Sequence, residues 1–216
     1  MIEKGGGFWN NVTRFPAAYY RFQLEAPIPF YRSVDARIEH GAQNNVAAQY
    51  QSLAFYYIRS RPAMVQTDFI DIANEASELS HGYMAKNSKL VRSLDASYEG
   101  NYQHSTIRDS GRTHADGTIS FRVTIEPDNN GVRIRRRLDQ NSPRQKADVY
   151  VDGEFTGTWY NPDHNEFLRW SDSDFDIHPD FTSGKNALNV RLEVKRDQGE
   201  GEFNDFRYTV YCFESK

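Results

Sequence analysis

The sequence has little of what stabilises or anchors the simplest alternative folds. A single cysteine, Cys212, excludes an internal disulfide framework, and we expect it to be a small buried residue of a strand. No apolar run approaches the roughly 18–20 residues of a membrane-spanning helix, and the N-terminal residues lack the apolar segment of a signal peptide. The sequence therefore predicts no membrane association and, if the chain is complete, a cytoplasmic protein.

Several chemistries also lack their sequence signatures. A net charge of −4 and a pI near 5.9 give no overall attraction for nucleic acid. No two of the six histidines have the spacing of a zinc motif, and there is no Gly-x-Ser-x-Gly nucleophile motif. We therefore expect no cofactor, no zinc site and no nucleic-acid partner.

Aromatic residues are abundant, with 14 Phe, 13 Tyr and 3 Trp against 3 Met. This balance favours half-buried strands over helical bundles. Residues 118–125 alternate strictly between apolar and polar types, and Asp152-Gly153 is the signal of a tight hairpin turn. Further strands are expected at 132–138, 147–151, 154–159, 187–194 and 207–213. The fold class predicted is all-β, a β-sandwich or jelly roll.

The pattern divides the chain into three parts. Residues 1–61 predict about three strands of an incomplete jelly roll, since they are too few to form a core by themselves. Residues 62–100 are interpreted as a connector that packs on a neighbouring sheet, with Asn74 capping a helical turn that ends before Gly82. Residues 101–216 predict a complete β-sandwich.

Arginines alternate along the strand predicted at 132–138. Arg133, Arg135 and Arg137 share one side, whereas Arg136 falls on the apolar side. A buried guanidinium needs a partner, and we consider two. In the structural interpretation, Arg136 pairs with an aspartate of 172–176. In the functional one, Arg136 binds a sugar or an anion together with two tryptophans, Trp159 and Trp170.

The segment 170–176 places three carboxylates on one strand face, those of Asp172, Asp174 and Asp176. Like charges on one face repel unless cations or arginines lie opposite. The offsets do not match an EF-hand loop. We expect a solvated or arginine-paired face, and a calcium site is the alternative.

Longer segments of the sequence resemble glycoside hydrolase family 172. The resemblance is carried by Tyr20-Arg21-Phe22-Gln23-Leu24-Glu25-Ala26-Pro27-Ile28-Pro29-Phe30, Arg37-Ile38-Glu39-His40-Gly41, Phe55-Tyr56-Tyr57, Gly131-Val132-Arg133-Ile134-Arg135-Arg136-Arg137, Tyr150-Val151-Asp152-Gly153, Gly157-Thr158-Trp159-Tyr160, Arg169-Trp170-Ser171-Asp172-Ser173-Asp174-Phe175 and Phe206-Arg207-Tyr208. It implies paired jelly rolls, assembly as trimers or their multiples, and exo-acting cleavage of α-D-fructofuranosides or D-arabinofuranosides.

The two catalytic glutamates of that family do not carry over to this sequence. One lies in a Gly-Glu-Gly-Asp segment that is absent here, and the other precedes a Gly-Gly-aromatic stretch that Gly5-Gly6-Gly7-Phe8-Trp9 resembles. Glu3 is the one carboxylate near the second position. Trp9 and His40 are implied as pocket residues if an upstream half is supplied.

The sequence supports two alternative hypotheses about function. In the first, the chain is the C-terminal portion of a furanoside-cleaving glycoside hydrolase, inactive alone, with a homo-oligomer or an upstream catalytic half as partner. In the second, it is a non-catalytic β-sandwich module that binds carbohydrate or mediates assembly.

Overall fold

A computed structural model of the chain describes residues 53–54, 64–98 and 106–214. They hold β1 (Met64–Asp71), α1 (Glu75–Ser80), β2 (Met84–Ala85), β3 (Ser88–Ala96), β4 (Ile107–His114), β5 (Gly117–Thr124), β6 (Asn129–Asp139), β7 (Gln145–Val151), β8 (Glu154–Asn161), β9 (Trp170–Ile177), α2 (Pro179–Thr182), β10 (Ala187–Val194), β11 (Phe203–Asp205) and β12 (Arg207–Glu214). Of the three strands predicted before residue 61, only residues 53–54 of the third are described, and these two are not in a strand. Glu3, Trp9 and His40 lie outside the described residues.

The strands form three antiparallel sheets. One has the order β1-β12-β6-β9, the second β2-β5-β10-β7-β8, and the third β11-β4-β3. Phe121 of the second sheet packs against Tyr208 of the first, with 4.6 Å between ring centroids. The two larger sheets thus face each other, and the predicted all-β sandwich is confirmed.

The core follows from the period-two alternation of the strands. On β5, Ile119, Phe121 and Val123 are buried, while the residues between them are partly or fully exposed. Both larger sheets contribute to one buried cluster, in which Ile134 and Val190 come from opposite sheets. Each fully buried aliphatic or aromatic side chain of this kind stabilises the fold by about 1.5–3 kcal/mol.

The segment 62–100, interpreted from sequence as a connector, supplies strands to all three sheets. β1 pairs with β12 along an edge of the first sheet, with a bulge between Gln66 and Asp68. The bulge breaks the alternation, which is why the pattern of this strand is weak in the sequence. The predicted cap is confirmed, because the side chain of Asn74 accepts a hydrogen bond from the amide of Ser77 at the start of α1.

The third sheet packs over a second, smaller cluster that contains Leu94, Trp170 and Phe206. Gly111 of β4 makes this approach possible. A Cβ atom at this position would lie 2.4 Å from the carbonyl oxygen of Asp205 and 2.6 Å from the Phe206 ring. The close packing therefore positions β3 and β4 beside the start of β9.

The predicted Asp-Gly hairpin is confirmed between β7 and β8. Asp152 and Gly153 both have positive φ, +50° and +92°, as a type I′ turn requires. Neither of the two helices in the described ranges has the length and apolarity to span a membrane.

Candidate functional site

Arg136 lies in the core, as its place in the alternation predicts, but its predicted partner is wrong. Its side chain is fully buried, and Nη1 donates to the carbonyl oxygen of Asn204 (2.8 Å) and to Oε1 of Gln145 (3.1 Å). The guanidinium lies over the Phe203 ring at 3.7 Å. Burial lowers the pKa of Arg136 to about 10. No aspartate of 172–176 contacts it, because β9 pairs beside β6 and sends Ser173 opposite Arg136.

The aspartates of β9 pair instead with the outward arginines of β6. Asp176 accepts two hydrogen bonds from Arg133 at 2.7 and 2.8 Å, and Asp174 accepts two from Arg135 at the same distances. Register places each of these aspartates directly opposite its arginine. Two of the three aspartates therefore pair with arginines, as the interpretation of an arginine-paired face predicts, and these pairs offset the charge repulsion along β9.

A polar cluster within the core surrounds Asp205, which is fully buried. Its carboxylate accepts hydrogen bonds from Nε2 of His114 (2.8 Å), from Tyr208 (2.8 Å) and from Tyr83 (2.9 Å). Burial acts to raise the pKa of Asp205, but His114 and the two phenols outweigh it and lower the pKa below 3.8. The carboxylate and His114 are closed to solvent, so the cluster holds the fold together and is not a binding site.

A cleft of about 380 Å³, the loop cleft, opens beside the start of β9. It lies between the loop of residues 162–169, the end of β6 and Tyr98, which is two residues beyond the end of β3. Its lining consists of Tyr98, Gln140, Asp163, His164, Asn165, Trp170, Ser171 and Asp172.

The loop is fixed to the end of β6 by hydrogen bonds. The amide of Gln140 donates to the carbonyl of Arg169 (2.8 Å), and its side-chain Nε2 donates to that of Leu168 (2.7 Å). The amide of Asn165 donates to the carbonyl of Gln140 (3.1 Å). Arg169 also makes a bidentate pair with Asp139 at 3.0 and 2.5 Å. The cleft is thus held in shape before any ligand binds.

Two aromatic residues form the inner part of the loop cleft. Trp170 is 1% exposed, and its indole N–H donates to the carbonyl of Ile107 at 2.9 Å. The hydroxyl of Tyr98 donates to Oδ1 of Asp172 (2.8 Å) and accepts from Nε of Arg137 (2.6 Å). Burial and the neighbouring Asp172 raise the pKa of Tyr98 well above 10, so the phenol stays protonated and orients the carboxylate.

Phe167 stands out in the same loop because its side chain is 82% exposed. Its amide donates to Oδ1 of Asn165, a residue of the cleft lining, at 3.0 Å. The ring is not part of the cleft lining, but it belongs to the same loop and offers an exposed apolar surface to a ligand.

A second cleft of about 320 Å³, the arginine cleft, lies on the outer face of the first sheet. Its lining consists of Gln66, Phe69, Arg135, Arg137, Asp172, Arg207, Thr209 and Tyr211. Asp172 lines both clefts. The two clefts therefore adjoin, and together we call them the groove.

The three arginines of this cleft differ in how well they are paired. Arg135 has its bidentate bond to Asp174, and Arg137 donates to Oδ2 of Asp109 at 2.8 Å. Arg207 lies 3.9 Å from that same Asp109 oxygen, and its buried Nε has no hydrogen-bond partner in the described part of the chain. Its guanidinium is 4.9 Å from the centre of the Phe69 ring. Arg207 thus stacks on an aromatic ring and has only a distant carboxylate to balance its charge.

The structure places the predicted site residues in different surroundings. Trp170 lines the loop cleft, whereas Trp159 is 2% exposed and lies in the core, 5.3 Å from the guanidinium of Arg136. The indole of Trp159 donates to the hydroxyl of Ser173 at 2.9 Å. Neither Trp159 nor Arg136 lines either cleft.

Sequence reasoning missed most of the groove, including Tyr98, the loop residues Asp163 to Asn165 and Arg207, and it also missed the exposed Phe167 of the same loop. A signal was available in the loop. Asn161-Pro162-Asp163 marks a turn, and an apolar ring at position 167 within a polar loop is unusual unless a partner covers it.

No family model matches the chain, and no curated protein matches it. Among solved structures, it is similar to a CBM35 from Paenibacillus barcinonensis at 14% identity and a TM-score of 0.45, over 66% of this chain and 97% of the other. It is also similar to the carbohydrate-binding module CBM6cm-2 from Cellvibrio mixtus lichenase 5A in complex with cellotriose, at 13% identity and a TM-score of 0.41, over 68% and 97%. A β-1,3-glucan-binding CBM6 from Bacillus halodurans matches at 9% identity and a TM-score of 0.40, over 70% and 95%. Scores this low establish neither a shared fold nor a shared ligand.

Proposed function

We propose that the β-sandwich is a non-catalytic module that binds a saccharide in the loop cleft. The observation that carries the proposal is the make-up of this preformed cleft. Carboxylate, amide, imidazole and phenol groups from Tyr98, Asp163, His164, Asn165 and Asp172 converge there. These groups can both donate and accept, which suits a ligand with many hydroxyl groups.

The aromatic residues complement those polar groups. A sugar ring has an apolar face of C–H groups as well as an edge of hydroxyls, so it suits a site with both kinds of surface. Phe167 provides an exposed ring next to Asn165, and Trp170 forms part of the cleft wall. The hydrogen bond from Gln140 to the backbone of Leu168 fixes the loop, which reduces the entropic cost of ordering it when a ligand binds.

Binding is favoured over catalysis by the exposure of the carboxylates. A general acid of a glycosidase is usually a carboxyl group in an apolar enclosure that raises its pKa. Asp163 and Asp172 are both exposed. The only fully buried carboxylate at the centre of the domain, Asp205, is engaged by three donors inside the core among the residues described.

The test is an affinity screen of the purified chain against neutral and acidic oligosaccharides, followed by calorimetry on those that bind. Phe167→Ala and Asp172→Ala should each weaken binding about tenfold or more, because each removes a direct contact. Phe155→Ala is the matched control, since Phe155 is 55% exposed on the second sheet. No binding to any saccharide, or equal losses for Phe155 and Phe167, would refute the proposal.

The resemblance to glycoside hydrolase family 172 supports a narrower proposal, that furanose-containing saccharides are among the ligands and that the chain alone does not hydrolyse them. Aryl α-D-arabinofuranosides and fructofuranosides should show no turnover with the purified chain. Turnover that is lost in Glu3→Gln would contradict this and would make Glu3 a catalytic residue.

Assembly through residues 1–61 is a further proposal from the sequence, since an incomplete jelly roll leaves apolar faces and sheet edges uncovered. Light scattering should then show a trimer, a multiple of it or another oligomer. A monomer at tens of micromolar would argue against it.

A further inference from the structure

We propose that the arginine cleft binds an oxyanion carried by the saccharide, so that the ligand of the groove is an acidic sugar chain with Arg207 as the anchor of its charged group. This inference rests on the proposed function and names its substrate class. The charged group is either a uronate carboxylate or a sulfate ester on a sugar ring, both of which present anionic oxygens to an arginine.

The charge of the cleft is the first reason. Its lining includes three guanidinium groups and a single carboxylate. Arg135 and Arg137 are compensated by close hydrogen bonds to Asp174 and Asp109. Arg207 shares Asp109 with Arg137 and is too far from it, at 3.9 Å, for a hydrogen bond. Two charges of the lining are then left without a close ion pair, the cation of Arg207 and the carboxylate of Asp172, to which Tyr98 donates. The site for an anion is therefore centred on Arg207.

The second reason is that the fold already holds Arg207 in place without using its hydrogen-bonding capacity. Its side chain is 34% exposed, its guanidinium stacks on Phe69 at 4.9 Å, and its Nε is buried without an acceptor in the described residues. A buried donor left unpaired is costly. A planar guanidinium pairs with carboxylate or sulfate oxygens in a bidentate manner, so an oxyanion in the cleft would supply acceptors to the exposed part of the guanidinium, while Nε stays buried.

The position of the cleft links this charge to the sugar. Asp172 lines both clefts, and Tyr98, which bonds Asp172, also accepts a hydrogen bond from Arg137. A saccharide of two or more units in the loop cleft extends past Asp172 toward Arg207. Because Asp172 repels anions, the acidic group belongs to the unit on the arginine side and not to the one beside Asp172.

The test compares acidic and neutral oligosaccharides of equal length on the full chain by calorimetry. An oligogalacturonide, a sulfated galactan oligosaccharide and a neutral galacto-oligosaccharide are the three probes. We expect the carboxylate or the sulfate probe to bind at least about tenfold tighter than the neutral one, with the preference falling as salt is raised. Which acidic probe is preferred identifies the group.

Variants assign the preference to this cleft. Arg207→Gln should remove the preference for acidic probes and leave the affinity for the neutral probe within about twofold. Arg207→Lys keeps the positive charge but cannot form two parallel hydrogen bonds to an oxyanion, so it should lose most of the preference. Arg122→Gln makes the same charge change at an exposed position of β5, on the other sheet, and should leave the preference intact. Thermal unfolding shows whether the variants are folded. If Arg207→Gln does not fold, the affinities of Arg207→Lys test whether the preference depends on Arg207.

Equal affinity for neutral and acidic probes would overturn this inference while the proposed function stands. A preference that survives in folded Arg207 variants would also overturn it. Absence of binding to all three probes and to the wider saccharide screen would instead refute the proposed function.

Discussion

Neighbouring arginines of β6 occupy opposite environments. Arg136 points into the sandwich, where it is fully buried among Phe203 and Trp159 and meets an amide and a carbonyl oxygen. Arg135, one residue earlier, points outward and makes a bidentate ion pair with Asp174. Arginine is thus part of the hydrophobic packing on one face of the sheet, at position 136, and part of a charged surface on the other face, at position 135.

The comparison separates polar groups that hold the fold from those available to a ligand. On the inner face, Asp205 has all its interactions within the core. On the outer face, Asp172 and Arg207 line an open cleft, and Arg207 has no close counter-charge in the described ranges. Changes on the inner face should therefore affect stability, and changes in the groove should affect binding.

The largest effect on stability is expected from Asp205→Ala. The substitution leaves three donors without an acceptor, two of them on the fully buried His114 and Tyr208 and one on the partly buried Tyr83. We expect a loss of about 3–5 kcal/mol in the free energy of unfolding, measured in urea. Asp163→Ala, at an exposed position, is the control and should cost less than about 0.5 kcal/mol. Similar losses for the two variants would contradict the division between the faces.

Lowering the pH should reduce the free energy of unfolding through the protonation of Asp205. The pKa of Asp205 is lowered in the folded protein, so the unfolded chain takes up a proton more readily. Its contribution is therefore fully present above the unfolded pKa, near 3.9, and is lost as pH falls through the lower folded value. Unfolding free energies from pH 7 to pH 2.5 should fall more steeply in the wild type than in Asp205→Asn. Parallel curves would show that Asp205 does not titrate with folding.

Arg136→Met tests whether a buried charge without a carboxylate partner stabilises the core. Methionine fills a similar volume between the rings, and the variant abolishes two buried nitrogens, Nε and Nη2, that have no partner in the described structure. Because desolvation of the guanidinium is costly, we expect a change of less than about 1 kcal/mol, neutral or stabilising. A loss of 3 kcal/mol or more would mean that Arg136 has a strong partner.

The smallest effect is expected for the outer ion pair. A double-mutant cycle with Arg135→Gln and Asp174→Asn should give a coupling energy of about 0.2–1 kcal/mol that shrinks in high salt, because both groups are partly exposed. A coupling energy well above this range would mean that the outer ion pairs contribute to stability as much as the buried polar groups do.

Sequence patterns predicted the parts of the fold where periodicity is regular. The alternation of β5 and β6, the Asp152-Gly153 turn and the inward orientation of Arg136 all follow from a period of two. The partner of Arg136 did not follow, because alternation defines the face of a residue but not which strand lies beside it. Register with β9 is a long-range property, and it places Asp174 opposite Arg135.

The groove was less predictable than the fold. Its residues come from separate parts of the chain, so that Tyr98, Asp163 and Asp172 meet only after folding. Trp170 was predicted as a residue that binds a sugar or an anion together with Arg136 and Trp159, whereas Arg207 belongs to an ordinary alternating strand. Its lack of a close counter-charge is visible only in three dimensions.

The two described tryptophans offer the most direct test of saccharide binding in the groove. Trp170 lines the loop cleft, and its indole N–H donates to the carbonyl of Ile107, whereas the indole of Trp159 lies in the core and donates to Ser173. Proton–nitrogen correlation spectra of the full chain, titrated with a saccharide that calorimetry shows to bind, would follow both signals. We predict that the Trp170 indole resonance shifts and saturates at the calorimetric Kd while that of Trp159 stays in place. Saturation binding with no change at Trp170 would contradict the account.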